Sequence, residues 1–389
     1  MNKKNDAVIV AYGRTPLARA FKGGFSMTHP IHYTAEVLKG VLEKVPQLDT
    51  STIEDIIVGN AIPERYTGYN IARLVAQKAG LPDVVPAQTI NRFCSSGLQA
   101  IATATNAIEA EQMEIVVAGG VEMMTGLNMG HPEEFHDQEL AKMIPGTYMS
   151  MGETAEQVAK NYNISRKEME IMAVKSHQKA HAAQGAGHFD NEIIPITIKN
   201  DEGQITLTKD EGIRPSTNAA KLSELKPCFR EDGLVTAATS SQMTDGASFV
   251  VLMSRKKAQE LGCAPIARYA SFAVVGVAAE VMGIGPVAAV PKALEKAGIT
   301  VDDLDVIELN EAFAAQAIAC IKELNLPMDK INPNGGAMAL GHPMGATGAV
   351  LTCKAISHLK RTNGKYALIT MCIGGGMGAA GVLVMEKSK

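Results

Sequence analysis

The residues of this chain with the clearest capacity for covalent chemistry are cysteines that lie where one structural segment gives way to another. Cys94 lies in residues 91–100 (NRFCSSGLQA), just before an alanine-rich run with apolar residues at helical spacing. Ser95 and Ser96 are favourable N-cap residues, so we expect Cys94 immediately before a helix. The positive end of a helix lowers the pKa of a cysteine, which favours a nucleophilic thiolate. Free cysteines are also often buried and inert, so this stretch alone leaves both interpretations open.

The C-terminal part of the chain carries three more segments with reactive or polar groups. His342 lies in the glycine-rich residues 332–348 (NPNGGAMALGHPMGATG), where glycine permits close approach of the backbone to a ligand. Cys372 ends a strand-like run and precedes Gly374, whose N–H group is free to donate. Asn310 follows another such run, where it could hold a water or an oxyanion, or simply cap a helix. A cysteine at a helix start with a distant histidine is the pattern of a nucleophile and its base.

Strand-like and helix-like segments alternate along the 389 residues, which predicts α/β layers around a largely parallel sheet. From residue 121 to residue 221 the character changes, since helical stretches mix with Met, Gly, Pro and charged residues and strong central strands are missing. This region predicts an inserted lobe.

The second half of the chain repeats the order of the first. Residues 55–60 (DIIVGN) correspond to 305–310 (DVIELN), and the helix start at 94–98 corresponds to the one at 345–349. In open α/β sheets, sites gather at the carboxyl ends of strands. We therefore expect the polar ends of the repeated strands and the two helix starts to meet.

Composition and motif context exclude several classes of function. The net charge of -4 lacks the basic excess of a general nucleic-acid binder, and no apolar run is long enough for a membrane span. The six cysteines are scattered, so neither a disulfide framework nor a metal site is expected, and a reducing cytoplasm is the simplest location. Residues 376–381 (GMGAAG) match the letters of the dinucleotide fingerprint, but the chain ends too soon for the helix and acidic residue that it requires. Nicotinamide binding is therefore not expected.

Four segments together resemble the thiolase family, and the resemblance extends over essentially the whole chain. They are NRFCSSGLQA around Cys94, LNEAFAAQA around Asn310, NPNGGAMALGHPMGATG around His342 and MCIGGGMGAAG around Cys372. The resemblance implies a thiolase-like α/β fold, in which two duplicated βαβαβαββ core halves form a five-layer α-β-α-β-α arrangement with an inserted loop domain.

The resemblance also implies a domain organisation. Residues 1–120 and 246–265 would form the N-terminal core domain. Residues 121–245 would form the loop domain on the substrate and CoA side. Residues 266–389 would form the C-terminal core domain.

For the reactive groups, the resemblance implies specific roles. Cys94 would attack the 3-keto carbon of a 3-ketoacyl-CoA, and His342 would accept its proton. Cys372 would protonate the departing acetyl-CoA carbanion and then deprotonate the incoming CoA, which releases acyl-CoA from Cys94. His342 and a water held by Asn310 would form one oxyanion site, and the N–H groups of Cys94 and Gly374 would form the other, for the thioester oxygen. CoA would be a co-substrate, with no permanently bound cofactor and no metal.

Four further residues match binding positions of the family. Ser271 matches a serine that meets the pantetheine of CoA, and Met151 and Met282 match methionines that line the acyl pocket. Methionines also serve as flexible core filler. Lys226 aligns with a basic residue near the nucleotide end of CoA, and it is equally compatible with a solvated surface charge.

Departures from the family pattern bear on the substrate. Biosynthetic members, which join two acetyl-CoA molecules, usually have histidine where this chain has Ser150, and Asn-Ala-Ser-Gly where it has residues 239–242 (TSSQ). These features resemble degradative 3-ketoacyl-CoA thiolases of fatty-acid β-oxidation. Thr239 replaces the usual Asn of both classes. The alternative is a biosynthetic acetyl-CoA C-acetyltransferase (acetoacetyl-CoA thiolase).

Two rivals from other classes fit the residues less well. A decarboxylating ketoacyl synthase needs a Cys-His-His set, and Asn310 occupies the second histidine position. A catalytically silent CoA- or lipid-binding paralogue would not need Cys94, Asn310, His342 and Cys372 together. Family precedent implies a homodimer or a homotetramer, whose partners are 3-ketoacyl-CoA, acetyl-CoA and CoA.

Overall fold

The computed structural model of the chain describes residues 6–127, 129–130, 132–200 and 203–386. The strands in these residues are β1 Ala7–Arg14, β2 Ala18–Arg19, β3 Asp55–Gly59, β4 Ala87–Ile90, β5 Ile115–Met123, β6 Ile196–Asn200, β7 Gly203–Leu207, β8 Thr244–Ser254, β9 Ala267–Gly276, β10 Val306–Leu309, β11 Tyr366–Ile373 and β12 Met377–Met385. The helices are α1 Pro30–Leu42, α2 Ile71–Lys78, α3 Ser96–Glu109, α4 Gln138–Met143, α5 Met151–Asn161, α6 Arg166–Gly185, α7 Ala219–Ser223, α8 Arg255–Glu260, α9 Gly285–Ala297, α10 Ala314–Glu323, α11 Ala337–Leu340 and α12 Met344–Thr362. None of these helices is both long and apolar enough to cross a membrane.

The strands of the core form one continuous ten-stranded sheet, whose two parts, called the first and the second sheet below, are joined at one point. The first half orders its strands β4-β3-β5-β8-β1, and the second orders them β9-β12-β11-β10. A single pair, Ile9 with Ala267, links β1 to β9. The repeat in the sequence is visible in the pairing, because β3 and β5 are parallel neighbours and so are β10 and β11.

Five layers result from the way apolar residues are distributed. Strands β1, β5 and β8 are buried along their whole length, as expected for strands covered on both faces. One apolar cluster packs α1 and α2 on the outer face of the first sheet, and another packs α9 and α10 on the outer face of the second. A third cluster joins α3 and α12 between the sheets. This is the predicted α-β-α-β-α arrangement.

The starts of α3 and α12 approach each other so closely that only glycine fits between them. A Cβ atom added to Gly97 would lie 2.8 Å from the carbonyl oxygen of Gly345, and one added to Gly120 would lie 2.1 Å from it. Both helices therefore begin at the centre of the molecule, beside the carboxyl ends of β3, β5 and β10. The two halves bring their chemistry-bearing turns together at this point.

The region predicted as an inserted lobe contains α4 to α7 and the β6–β7 hairpin. Strand β5 continues to Met123 and β8 begins at Thr244, so both strands extend past the expected limits of residues 121–245. A buried arginine of the core holds this region. Arg14 on β1 donates to Glu192 at 2.8 Å and to both carboxylate oxygens of Asp210 at 2.7 and 3.0 Å.

Removing Arg14 tests this attachment. Arg14→Met leaves two carboxylates buried without their cation, so we expect the free energy of unfolding to fall by about 3–5 kcal/mol in urea titrations. Lys39→Ala is the matched control, because Lys39 pairs with Glu36 at 2.9 Å on the surface. Its effect should stay within about 0.5 kcal/mol. Equal effects of the two substitutions would contradict a specific role for the buried pairs.

Candidate active site

Cys94 lies in a tight turn between β4 and α3. Phe93, the preceding residue, has a left-handed backbone with φ of 42°, which is uncommon for a residue other than glycine. The Asn91 side-chain oxygen accepts from the Phe93 N–H at 2.7 Å, and the Ser96 hydroxyl donates to the Phe93 carbonyl at 2.6 Å. These hydrogen bonds fix both backbone groups of Phe93 and so stabilise the turn. The Cys94 side chain is half-buried.

The expected capping of α3 is only partly observed. Ser95 occupies the N-cap position, but its hydroxyl makes no cap hydrogen bond and is buried without a partner in the described residues. Ser96 bonds backwards to the turn instead of forwards to the helix. The Ser96 hydroxyl thus shapes the turn that contains Cys94 rather than caps the helix.

The environment of the Cys94 sulfur differs from the sequence expectation. Burial raises the pKa of Cys94 to about 11, although the backbone N–H groups of Gly374 and of Cys94 itself donate to the sulfur and oppose the shift. The expected lowering of the pKa at a helix start was wrong, because the cost of burying the charged form exceeds the favourable field. Cys94 is therefore a protonated thiol at neutral pH and needs a base to become a nucleophile.

His342 lies in the turn between α11 and α12 and is buried. Its ring nitrogen Nδ1 lies 2.6 Å from the hydroxyl of Thr347, on the first turn of α12. Burial lowers the pKa of His342 to about 4, so the ring is neutral at pH 7. In the neutral tautomer whose Nδ1–H donates to the Thr347 hydroxyl, Nε2 carries the lone pair that can accept a proton.

The backbone of this turn is held by the segment that leads into β8. The His342 N–H donates to the Gln242 carbonyl at 3.2 Å and to the Thr244 hydroxyl at 3.1 Å. Gly341 has a φ of 111°, and a Cβ atom there would lie 2.1 Å from the Thr244 oxygen. The Gln242 amide donates to the carbonyls of Met338 and Ala339 at 2.9 and 3.0 Å. Both ends of the turn are therefore fixed.

Asn310 stands directly after β10, beside the His342 ring. Its backbone N–H donates to the Thr370 carbonyl at 3.0 Å, and its Nδ2 lies 3.5 and 3.4 Å from the two ring nitrogens of His342. Its Oδ1 is buried, and no described residue donates to it. The amide thus contacts His342 directly and keeps one unpaired acceptor, which fits the predicted water.

Cys372 lies near the end of β11 and is buried. Burial raises its pKa well above the usual range, and Cys94 raises it further. The two sulfurs are therefore close enough to interact electrostatically. Cys372 packs in an apolar cluster with Met282 and Phe313, against which Met151 also packs. A Cβ atom at Gly374 would lie 3.4 Å from the Met151 sulfur, so both predicted pocket methionines lie beside the cysteines.

The structure does not bring Ser271 to this centre. The Ser271 hydroxyl donates to the Ala293 carbonyl on α9 at 2.6 Å. Across the sheet, Cys372 pairs with Gly378 on β12, and Gly378 pairs with Val275 on β9. Ser271 lies four residues before Val275 along β9. At about 3.3 Å per residue this separation is about 13 Å. A pantetheine contact of Ser271 stays a prediction.

Lys226 is exposed on the loop that follows α7. Three residues later, the Phe229 ring packs edge-on against the Phe313 ring, with 6.0 Å between the ring centroids. This contact places the loop against the apolar cluster that contains Met282 and Cys372. A CoA contact of Lys226 also stays a prediction.

Two departures from the family pattern have structural explanations. Ser150 caps α5 in a reciprocal box with Glu153, with the two side chains 2.7 Å apart. The buried Thr239 hydroxyl hydrogen bonds to both backbone groups of Thr236, at 2.9 and 3.2 Å, and so closes its own turn. Both hydroxyl groups support local structure.

Several residues of the site were missed at the level of sequence. Thr347 and Thr244 contact His342, and Gln242 holds the turn before it, although the sequence pattern marks Gln242 only as a feature of the subclass. Glu122 had a usable signal, since it is a polar residue near the carboxyl end of the strand-like run that begins at residue 115. Its partners are distant in the sequence.

The arrangement can support acyl transfer through a thioester. It offers a thiol nucleophile, a neutral imidazole as base, a second buried thiol as acid, and backbone N–H donors at the nucleophile. The roles of these residues stay predictions. Among the described residues, no group of His, Cys, Asp and Glu side chains could hold a metal ion.

Comparisons with known proteins give a consistent result. The family model "Thiolase, N-terminal domain" matches residues 7–256, and "Thiolase, C-terminal domain" matches residues 263–385. The 3-ketoacyl-CoA thiolase of Bacillus subtilis (strain 168) is 48% identical over 387 residues, which cover 97% of this chain and 98% of that protein. The peroxisomal 3-ketoacyl-CoA thiolase of Homo sapiens is 44% identical over 97% of this chain and 90% of its own length.

Two solved structures are similar to the whole chain. The acetyl-CoA acetyltransferase of Bacillus anthracis has a TM-score of 0.92 and 38% identity, and the match covers 99% of this chain and 100% of that one. The dimeric peroxisomal thiolase of Saccharomyces cerevisiae also has a TM-score of 0.92 and 38% identity, with 99% of each chain covered. Both similarities extend across the two halves and the inserted region.

The raised pKa of Cys94 predicts its reactivity in the free protein. The rate of alkylation by iodoacetamide follows the thiolate, which grows about tenfold per pH unit below the pKa. We expect alkylation of Cys94, followed by peptide mass spectrometry, to keep rising beyond pH 9. Cys94→Ser controls for labelling at other sites, such as the exposed Cys228. A plateau below pH 8 would contradict the raised pKa.

Proposed function

This chain belongs to the thiolase family, and from that premise we propose that it cleaves 3-ketoacyl-CoA with CoA into acetyl-CoA and a shortened acyl-CoA, through an acyl-Cys94 intermediate. The observation that carries the proposal is the contact between the helix starts that follow Cys94 and His342, where the Gly374 N–H group lies on the Cys94 sulfur and buried Cys372 interacts electrostatically with Cys94. The family relationship makes it an acyltransferase.

The first half-reaction would begin with His342. Its free Nε2 accepts the proton of the Cys94 thiol as the sulfur attacks the 3-keto carbon. The C2–C3 bond then breaks, its electron pair stays with acetyl-CoA as a carbanion, and Cys372 supplies the proton that makes the product neutral. The imidazolium, together with Asn310 and a water at its unpaired oxygen, stabilises the charge that develops on the oxygen of the departing acetyl-CoA.

In the second half-reaction, Cys372 and His342 would exchange their roles as proton donor and proton acceptor. Cys372, now a thiolate, takes the proton from the incoming CoA thiol, and the CoA sulfur attacks the acyl carbon on Cys94. The backbone N–H groups of Cys94 and Gly374, which contact the Cys94 sulfur in the free protein, would donate to the oxygen of that tetrahedral carbon. Cys94 leaves as a thiolate and recovers its proton from His342, so every proton is returned and the enzyme is unchanged. This scheme predicts ping-pong kinetics.

The same groups could run in the condensing direction, as a biosynthetic acetyl-CoA C-acetyltransferase. The observation in favour is the structural likeness to the acetyl-CoA acetyltransferase of Bacillus anthracis. Residues 239–242 (TSSQ) and the higher identity to 3-ketoacyl-CoA thiolases favour the degradative direction, in fatty-acid β-oxidation.

We extend the proposal to assembly, location and cofactors. A homodimer or homotetramer is proposed because a thiolase of the same fold is described as dimeric. A reducing cytoplasm is proposed because all six cysteines are free thiols. CoA is proposed as a co-substrate, with no permanently bound cofactor.

Comparing chain lengths tests the proposal. CoA-dependent thiolysis of a C4 and a C16 3-ketoacyl-CoA is followed under identical conditions by the chromatographic yield of acetyl-CoA. We expect cleavage of the long chain at a comparable or higher rate, because the methionines that we propose for the acyl pocket are flexible and pack near Cys372 and Gly374. Activity confined to C4 would favour the acetoacetyl-CoA thiolase. Cleavage of neither would overturn the proposed function.

A further inference from the structure

Glu122 is a buried carboxylate beside the site, and the mechanism above gives it no role. It lies near the carboxyl end of β5 and is 0% exposed. No ion pair of Glu122 is found among the described residues, and its hydrogen-bond partners there are neutral N–H groups. A buried charge without a cation is costly, so such a group calls for an explanation.

The partners of this carboxylate come from two different elements. Its Oε2 accepts from the Ala61 N–H at 2.8 Å and from the Gly345 N–H at 2.9 Å. Its Oε1 accepts from the Asn60 side chain at 2.8 Å. Asn60 and Ala61 directly follow β3, whereas Gly345 is the second residue of α12. One side chain therefore joins the end of a strand in the first half to the start of a helix in the second.

The residue that Glu122 holds is the point of contact between the two reactive turns. Gly345 lies three residues after His342 and two before Thr347 on the same helix start. Its carbonyl oxygen packs against Gly97, which lies three residues after Cys94, and would lie 2.8 Å from a Cβ atom added there. A displacement of Gly345 would therefore move the base relative to the nucleophile.

All the partners of the Glu122 carboxylate are hydrogen-bond donors, so the side chain at position 122 must offer acceptors only. An ionised carboxylate only accepts hydrogen bonds, so both of its oxygens suit the Asn60, Ala61 and Gly345 donors. Glutamine has the same shape, but its NH₂ group would face at least one of these N–H groups. The site is therefore specific for the acid.

The negative charge of Glu122 also affects the pKa of Cys94. Burial raises the pKa of Glu122 to about 7 even though its hydrogen bonds oppose the shift, and its negative charge raises the pKa of Cys94. Two other titratable groups among the described residues lie near Glu122. The Tyr33 hydroxyl donates to the Glu122 backbone carbonyl at 3.1 Å. Burial raises the pKa of Tyr33, and the charges of Asp245 and Glu122 raise it further.

We propose that Glu122 is a positioning residue for the thiolase reaction: its carboxylate fixes the start of α12, and with it His342, against the end of β3, and its buried charge acts on the Cys94 sulfur. This inference rests on the proposed function. This charge adds to burial, which is the main cause, in disfavouring the Cys94 thiolate in the resting enzyme.

The experiment compares Glu122→Gln with Glu192→Gln, a matched loss of a buried carboxylate that is bound to Arg14. Two properties are measured in full-length protein: the pH profile of Cys94 alkylation by iodoacetamide, and thiolysis of a 3-ketoacyl-CoA. For Glu122→Gln we expect alkylation at pH 8 to rise about threefold or more, since half a unit of pKa changes the thiolate fraction by that factor. Thiolysis should fall about 10- to 100-fold, because a misplaced base loses that much. Glu192→Gln should keep the wild-type alkylation profile.

An unchanged alkylation profile in Glu122→Gln would overturn the proposal, whatever happens to its thermal stability. If that variant does not fold, Glu122→Asp decides, because it keeps the charge but shortens the reach. The expected result is a wild-type alkylation profile with reduced thiolysis, and wild-type thiolysis would overturn the proposal. Alkylation needs no turnover, so this arm gives its answer even if the chain proves to have no thiolase activity.

Discussion

The close contact of the two helix starts is the constraint on which the rest of this structure depends. Helices α3 and α12 begin at the carboxyl ends of strands from different halves, and they meet where Gly97 faces the carbonyl of Gly345. A side chain at Gly97 would force them apart. Because Cys94 precedes one helix and His342 precedes the other, this packing also sets how near the proposed base lies to the proposed nucleophile. The five layers keep that distance fixed.

Burial sets the chemistry of the groups that this contact brings together. The same loss of solvation raises the pKa values of Cys94 and Cys372 and lowers that of His342. The resting site is therefore a set of neutral acids and bases rather than a preformed ion pair. On Cys94, His342 and Cys372, charge would appear only during the proposed reaction, for which the N–H groups of Cys94 and Gly374 and the amide of Asn310 are already in place. Donors that need no reorganisation stabilise such charge most effectively.

Much of the fold could be predicted from local sequence signals. Helix α6 begins at Arg166 because Ser165 and Glu168 form a reciprocal cap there, a pattern that is visible in the sequence. Helix α1 begins at Pro30, since His29 caps it and proline is favourable in the first turn.

The site was predictable where residue type and local context were sufficient. Cys94, His342, Cys372 and Asn310 each lie at or shortly after a strand end or in a glycine-rich segment, and the structure places Asn310 against His342 and Cys372 near Cys94. The direction of the Cys94 pKa shift was not predictable, because it depends on burial by segments far along the chain. The role of Glu122 was equally hidden, since its donors lie 61 residues before it and 223 residues after it. Short-range patterns cannot reveal contacts of that kind.

The most direct measurement is the covalent state of Cys94 after substrate is added without free CoA. The protein is mixed with a 3-ketoacyl-CoA that carries an isotope label in its acyl part, quenched in acid and digested for mass spectrometry. This account predicts one labelled acyl group on the peptide that contains Cys94, released as acyl-CoA when CoA is added and absent from Cys94→Ala. Formation of acetyl-CoA with no acyl group on Cys94, or with the label on Cys372, would contradict it.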